Sequence, residues 1–151
     1  MTDDAPRIPD HTATLTAGAR IPLLGFGTWQ IKGDDAVRAT ASALETGYRH
    51  LDTATIYGNE AEVGRALADS GVPRDEVFVT TKCPPDNAGR ELDTLRKSLD
   101  LLQVDHVDLW LIHWPGSADV DMWRAFVEAR DGADEGDRRQ QLRRVPPRRG
   151  H

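Results

Sequence analysis

The stretch GYRHLDTATIYGNE, residues 47–60, decides how the chain is read. Gly47 stops whatever helix precedes it, and Gly58 with Asn59 opens a new turn, so RHLDTA between them reads as a short strand. Beyond Asn59, Val63, Ala66 and Leu67 recur at helical spacing as far as Ser70. The stretch is therefore a strand ending near Asp52, a loop carrying Tyr57, and a helix that starts near Glu60. A strand followed by a helix is the repeating unit of a parallel sheet. The fold then depends on how often that unit recurs.

It recurs four times. On the N-terminal side, two short apolar runs from Ala13 to Leu24 flank AGAR and predict a hairpin, and LLGFGTW predicts a buried strand ending at Gly27 and Thr28. Asp34 or Asp35 is placed to cap a helix whose inner face is Val37, Ala41 and Leu44. On the C-terminal side, GVPRDE turns into the β-branched run VFVTTK, which Pro84 and Pro85 end. Leu92, Leu95, Leu99 and Leu102 then predict an amphipathic helix. VDLWLIHW reads as a fourth strand closed by Pro115, followed by a helical stripe of Val120, Trp123 and Val127 up to Arg130. The strands are apolar runs of the type buried on both faces of a parallel sheet. No Gly-x-Gly-x-x-Gly follows the first strand, so the dinucleotide fingerprint of a doubly wound sheet is absent. A (β/α)8 barrel has eight such units in about 250 residues. The expected fold class is α/β, the first half of a (β/α)8 TIM barrel: an N-terminal hairpin and four βα units, together over residues 13–130, with residues 1–12 as an extension.

Composition agrees with a soluble globular body. Of 151 residues, 38% are hydrophobic and 29% charged, and no apolar run approaches the ~18 residues of a membrane span. The N-terminus lacks an apolar signal segment, so a cytoplasmic location is expected. The single Cys83 excludes an internal disulfide framework and the scattered histidines offer no zinc cluster, so no metal is expected. The net charge of −6 is uneven, because residues 131–151 hold six arginines against four acids and few aliphatics. That segment predicts a disordered basic tail.

In a barrel of this kind, chemistry sits at the C-terminal ends of the strands. Thr28 and Trp29 follow the first strand, Asp52 and Tyr57 the second, Lys82 the third, and His113 and Trp114 the fourth. Each alone is commonly structural; their coincidence on one rim is the signal. A phenol ordinarily titrates near about 10, and an adjacent ammonium favours its ionised form. Lys82 is placed to supply that charge, Asp52 to orient Lys82, and His113 to donate a hydrogen bond to a substrate carbonyl.

These residues also carry a family resemblance. Gly47, Tyr48, Arg49, His50, Leu51, Asp52, Thr53 and Ala54, then Glu60, Val63 and Gly64, match the first signature of the aldo-keto reductases, and GFGTW, VTTK and LIHWP match later stations in order. The chain resembles that family from about Thr14 to about Arg130. The resemblance implies an oxidoreductase that reduces aldehydes or ketones with NADPH, NADH not being excluded. It makes Asp52, Tyr57, Lys82 and His113 the catalytic set, with Tyr57 the proton donor. It sets Gly27, Thr28 and Asp52 toward the nicotinamide, and Trp29, His113 and Trp114 toward a small carbonyl substrate. Glu60 and Gly64 are expected as helix-cap and packing residues. No nucleic-acid or membrane partner is implied.

Members of the family continue with four further units, opening on a strand close to Ile-Gly-Val-Ser-Asn-Phe that is not found here. The groups expected to hold the pyrophosphate and 2′-phosphate belong to those units. One permitted choice of codons for residues 132–144, read one nucleotide later, yields Gly-Leu-Thr-Lys-Ala-Ile-Gly-Val-Ser-Asn-Phe-Asp. The Arg-rich tail is therefore expected to be an out-of-frame product, and the chain a truncated, inactive fragment whose exposed sheet edges favour self-association. Two other readings compete: a non-catalytic interaction module with an anion-binding tail, and a hydrolase using Asp52 and Glu60 as a carboxylate pair.

Overall fold

A computed structural model describes residues 11–131. Of the extension expected at residues 1–12, residues 1–10 lie outside the described residues, and so do residues 132–151 of the tail expected at 131–151, with the readings of that tail as disordered, anion-binding or out of frame; Thr12 belongs to the first strand and Asp131 to the last helix.

An antiparallel hairpin, β1 (Thr12–Thr14) and β2 (Arg20–Pro22), comes first. Four units follow: β3 (Phe26–Gly27) and α1 (Gly33–Thr46), β4 (His50–Asp52) and α2 (Glu60–Asp69), β5 (Phe78–Cys83) and α3 (Glu91–Leu102), β6 (Leu109–Ile112) and α4 (Asp119–Asp131). The sheet is parallel throughout, in the order β3-β4-β5-β6, so each new strand joins beside the last. This is the arrangement of consecutive units in a (β/α) barrel, with β3 and β6 at the two edges among the described residues.

The helices cover one face of the sheet. Leu51, Val79, Cys83 and Trp110 point toward them and pack with Val63, Leu67, Leu95, Leu99, Met122 and Phe126. Trp110 stacks flat on Phe126, ring centroids 3.6 Å apart. The expectation of strands buried in apolar surroundings on both faces is corrected. Residues alternate along a strand, and the alternate positions His50, Asp52, Thr80 and Lys82 line the other face with polar groups. His50 bonds the Thr80 hydroxyl at 3.0 Å and meets the Phe78 ring edge-on.

Local expectations change as well. Leu23 and Leu24 are not strand interior; they are exposed, and β3 starts only at Phe26. Lys32 occupies the N-cap of α1, so Asp34 and Asp35 sit in its first turn without capping it. The inner face of α1 is Ala36, Thr40, Ala43 and Leu44 in place of Val37 and Ala41; in α4 Met122 and Phe126 are the buried residues, the expected Trp123 packs partly buried against the core, and Val120 is exposed. In α3, Leu92 turns to solvent and Thr94 and Ser98 turn inward. Gly64 is required by packing as expected: a Cβ there would lie 2.5 Å from the Leu101 carbonyl oxygen and 2.6 Å from Leu102 Cα. No helix among the described residues is long and apolar enough to cross a membrane.

Candidate active site

Backbone hydrogen bonds continue the sheet ladder past the strand ends and bring the C-terminal rim together. Thr28 N–H donates to the Asp52 carbonyl at 3.0 Å, Thr53 N–H to Thr80 at 2.9 Å, and His113 N–H to Cys83 at 2.9 Å. Asp52 closes β4 and Lys82 is the penultimate residue of β5. Tyr57 ends a single 3-10 turn, Thr55–Tyr57, which Gly58 closes in the left-handed region at φ 64°.

Asp52, Tyr57, Lys82 and His113 converge. The Lys82 ammonium pairs with the Asp52 carboxylate, donates to the Thr53 carbonyl at 2.8 Å, and reaches the Tyr57 hydroxyl oxygen at 3.4 Å. The same Nζ lies 5.1 Å from the centre of the Tyr57 ring. His113 meets that ring edge-on, centroids 5.7 Å apart at 75°. Burial, reinforced by the Lys82 charge and opposed by Asp52, holds the His113 imidazole below its ordinary value. It is therefore neutral at neutral pH. Among the described residues its Nδ1 is buried without a hydrogen-bond partner, a setting that favours the tautomer with the proton on Nε2.

The aromatic residues flank this group. Trp114 tilts against His113 at 4.6 Å between centroids and is 41% exposed; Trp29 is 65% exposed on the loop after β3. Neither is core. Gly27 has open space where a Cβ would stand, so the end of β3 leaves room for a bound molecule. Thr28, expected to face a cofactor, is fully enclosed, its hydroxyl 3.2 Å from the Asp52 carbonyl and 2.9 Å from the Thr53 hydroxyl. It holds the rim together and does not line it.

Two residues on which the rim depends escaped sequence reasoning. Asn59 is fully buried; its amide donates to the carbonyls of Thr28 at 2.7 Å and Ile31 at 2.9 Å, while its oxygen accepts from Thr53 at 3.3 Å. It thereby clamps the loop that carries Trp29 and the positive-φ Gln30. Lys32 holds the turn from the other side through the Tyr57 carbonyl. The one available signal, Gly58-Asn59 ahead of a helix, reads simply as a turn. Glu60 is also buried, but it does not cap its helix: its carboxylate accepts from Thr81 at 2.6 Å and Ser98 at 3.1 Å on the helix-covered face. Asp52 lies on the opposite face with Lys82, so the two acids do not form a hydrolytic pair. Cys83 is buried and its thiol is pushed up to about 11 by that burial, the setting of a structural cysteine. No group of three or more metal-ligating side chains occurs among the described residues.

Comparison with known proteins places these features in company. The family model for the Aldo/keto reductase family matches residues 23–137. Glycerol 2-dehydrogenase (NADP(+)) of Saccharomyces cerevisiae is 52% identical over 106 residues, covering 70% of this chain and 34% of the yeast protein. An aldo-keto reductase of Mycolicibacterium smegmatis is 46% identical over 132 residues, covering 84% of this chain and 46% of that one. Among solved structures, an aldo/keto reductase from Brucella melitensis superposes with a TM-score of 0.78 at 46% identity, over 82% of this chain and 49% of that one. A Bombyx mori aldo-keto reductase in complex with NADP gives 0.75 at 32% identity, over 83% and 48%. The chain thus spans between a third and a half of the length of these relatives.

Proposed function

Because the chain belongs to the aldo/keto reductase family, we propose that its C-terminal rim is the proton-delivering part of a site that reduces aldehydes or ketones to alcohols with NADPH. The observation that carries this reading is the meeting of the Lys82 ammonium, Asp52 and the Tyr57 hydroxyl on one rim, with neutral His113 against the same ring. Lys82 donates toward the Tyr57 oxygen, so the phenol's own proton is left to point at a carbonyl oxygen in front of it. Asp52 and the Thr53 carbonyl fix the ammonium, and His113 offers its Nε2 proton to the same carbonyl oxygen. Trp29 and Trp114 present apolar surface for the remainder of a small carbonyl compound.

Gly27 and Asp52 stand on the side proposed for the nicotinamide, where the space over Gly27 suits a close approach. The chemistry a bound nicotinamide supplies is the hydride. NADPH over NADH is proposed from the relatives that carry NADP(+) in name or in structure. A cytoplasmic location is proposed with it.

The chain spans between a third and a half of the length of these relatives. We propose that the 151-residue chain alone binds NADPH weakly and does not turn over, and that β3 and β6, the sheet edges among the described residues, favour pairing with a second copy. NADPH fluorescence titration and size-exclusion chromatography test these points; tight binding by a monomer would contradict both. The out-of-frame reading of residues 132–144 is tested by the gene's nucleotide sequence, and codons that cannot be reread one nucleotide later would reject it.

A further inference from the structure

Lys82 and Tyr57 meet on the inner face of the sheet, where the ammonium lies 3.4 Å from the phenol oxygen and also holds the Thr53 carbonyl, two residues ahead of the turn that bears Tyr57. A second tie, to the turn itself, lies on the opposite face. Thr81, the residue before Lys82, donates its hydroxyl to Glu60 Oε1 at 2.6 Å. Ser98 of α3 donates to Glu60 Oε2 at 3.1 Å, and its oxygen lies 3.4 Å from the hydroxyl of Thr55, two residues before Tyr57. With the Ser98 proton directed to Glu60, its lone pair is free to accept from Thr55. The order of donors is then consistent from Thr55 to Ser98 to Glu60, and from Thr81 to Glu60, with one carboxylate as the common acceptor.

We propose that Glu60 is a positioning residue for the Lys82–Tyr57 pair, bracing the 3-10 turn and β5 from the helix-covered face so that the two side chains meet on the other. This deepens the reading of the rim as a proton-delivery site and rests on it. Glu60 is 3% exposed, and burying an acid there is costly unless its oxygens are fully used. Burial raises its carboxyl above the ordinary value, while the Thr81 and Ser98 hydroxyls and the Lys97 charge oppose the rise. A helix cap would need no such arrangement. The brace links α2, β5, α3 and the turn, while the residues it registers, Tyr57 and Lys82, are 25 positions apart in sequence.

The chain holds two tyrosines, so protein labelled with 13C at tyrosine Cζ gives two resonances, Tyr48 and Tyr57. Three variants of the full chain are compared with wild type. Lys82→Met removes the ammonium and sets the displacement of the Tyr57 resonance that corresponds to a lost contact. Glu60→Ala is expected to move Tyr57 by at least half that displacement and leave Tyr48 in place, whereas Glu60→Gln, whose amide can serve both hydroxyls, is expected to stay near wild type. Should Glu60→Ala fail to fold, Thr81→Val keeps the side-chain volume, deletes the link next to Lys82, and is expected to move Tyr57 in the same direction. A Tyr57 resonance that shifts with Lys82→Met but not with Glu60→Ala or Thr81→Val overturns the brace alone. A resonance indifferent to Lys82→Met overturns the brace together with the proposed site.

Discussion

The Nζ of Lys82 lies 3.4 Å from the hydroxyl oxygen of Tyr57 while also paired with Asp52, so one ammonium joins an acid at a strand end to a phenol in the loop beyond it. Lys82→Met removes both contacts and the donor to the Thr53 carbonyl. In a protein that completes the barrel, with residues 1–131 of this chain joined to the C-terminal half of the Brucella relative, kcat for aldehyde reduction is expected to fall by about 10²–10³ with little change in KM. Steady-state kinetics followed by NADPH absorbance checks this. An unchanged kcat would remove Lys82 from the site.

Gly64 illustrates a position where packing leaves no freedom. A Cβ would lie 2.5 Å from the Leu101 carbonyl oxygen and 2.6 Å from Leu102 Cα, and these are backbone atoms that cannot swing aside. Gly64→Ala is expected to push α2 from α3 and cost about 1–3 kcal/mol. A urea denaturation midpoint equal to wild type would mean that the two helices are not in this close contact.

The histidines of the sheet make stability depend on pH. Burial is the main cause that lowers His50, outweighing the pull of Asp52 and Pro22, and burial likewise lowers His113. A group whose folded value is depressed below 6.5 is neutral in the fold while the unfolded chain takes up protons. Its contribution is therefore fully present above pH 6.5 and is lost as pH falls through the folded value. The loss is steepest at about 1.4 kcal/mol per pH unit for one full proton. His50→Gln is expected to flatten the stability curve between pH 6.5 and 5, as read by chemical denaturation at a series of pH values. A variant with the wild-type slope would show that His50 is not the source.

Asn59 carries the loop after β3. Its amide NH2 meets the carbonyls of both Thr28 and Ile31, and Asn59→Asp replaces that one group with an oxygen that cannot donate to either. The expected cost is about 2–4 kcal/mol, since two buried carbonyls lose their partners and face a like-signed group. Proteolysis between Thr28 and Lys32 is expected to quicken as the loop loosens. Wild-type stability and resistance would contradict the clamp.

Much of this architecture is legible in the sequence because four strand-helix units leave periodic signals, and because barrels put functional groups at strand ends, where Asp52, Lys82 and His113 are found. Helix phase is less legible. In α4 the covered residues are Met122 and Phe126, because Trp110 of β6 supplies the surface on which Phe126 stacks, and the helix's own pattern does not reveal that partner. The α3 leucine row misleads at Leu92 for a related reason: Glu60 draws Ser98 inward, a polar residue on what reads as an apolar face. Asn59 and Glu60 are the least legible. A buried polar side chain makes physical sense only once its partners are known, and those partners are between 6 and 38 positions away.

Tyr57 is proposed to deliver the proton in carbonyl reduction, and Tyr57→Phe in the completed barrel isolates that step. The ring and its contact with His113 remain while the hydroxyl is lost. The protein joined to the Brucella half is expected to reduce an aromatic aldehyde with NADPH, and Tyr57→Phe to lower kcat by about 10²–10⁴ at unchanged NADPH affinity. A folded, cofactor-binding Tyr57→Phe protein that turns over at the parent rate would contradict it.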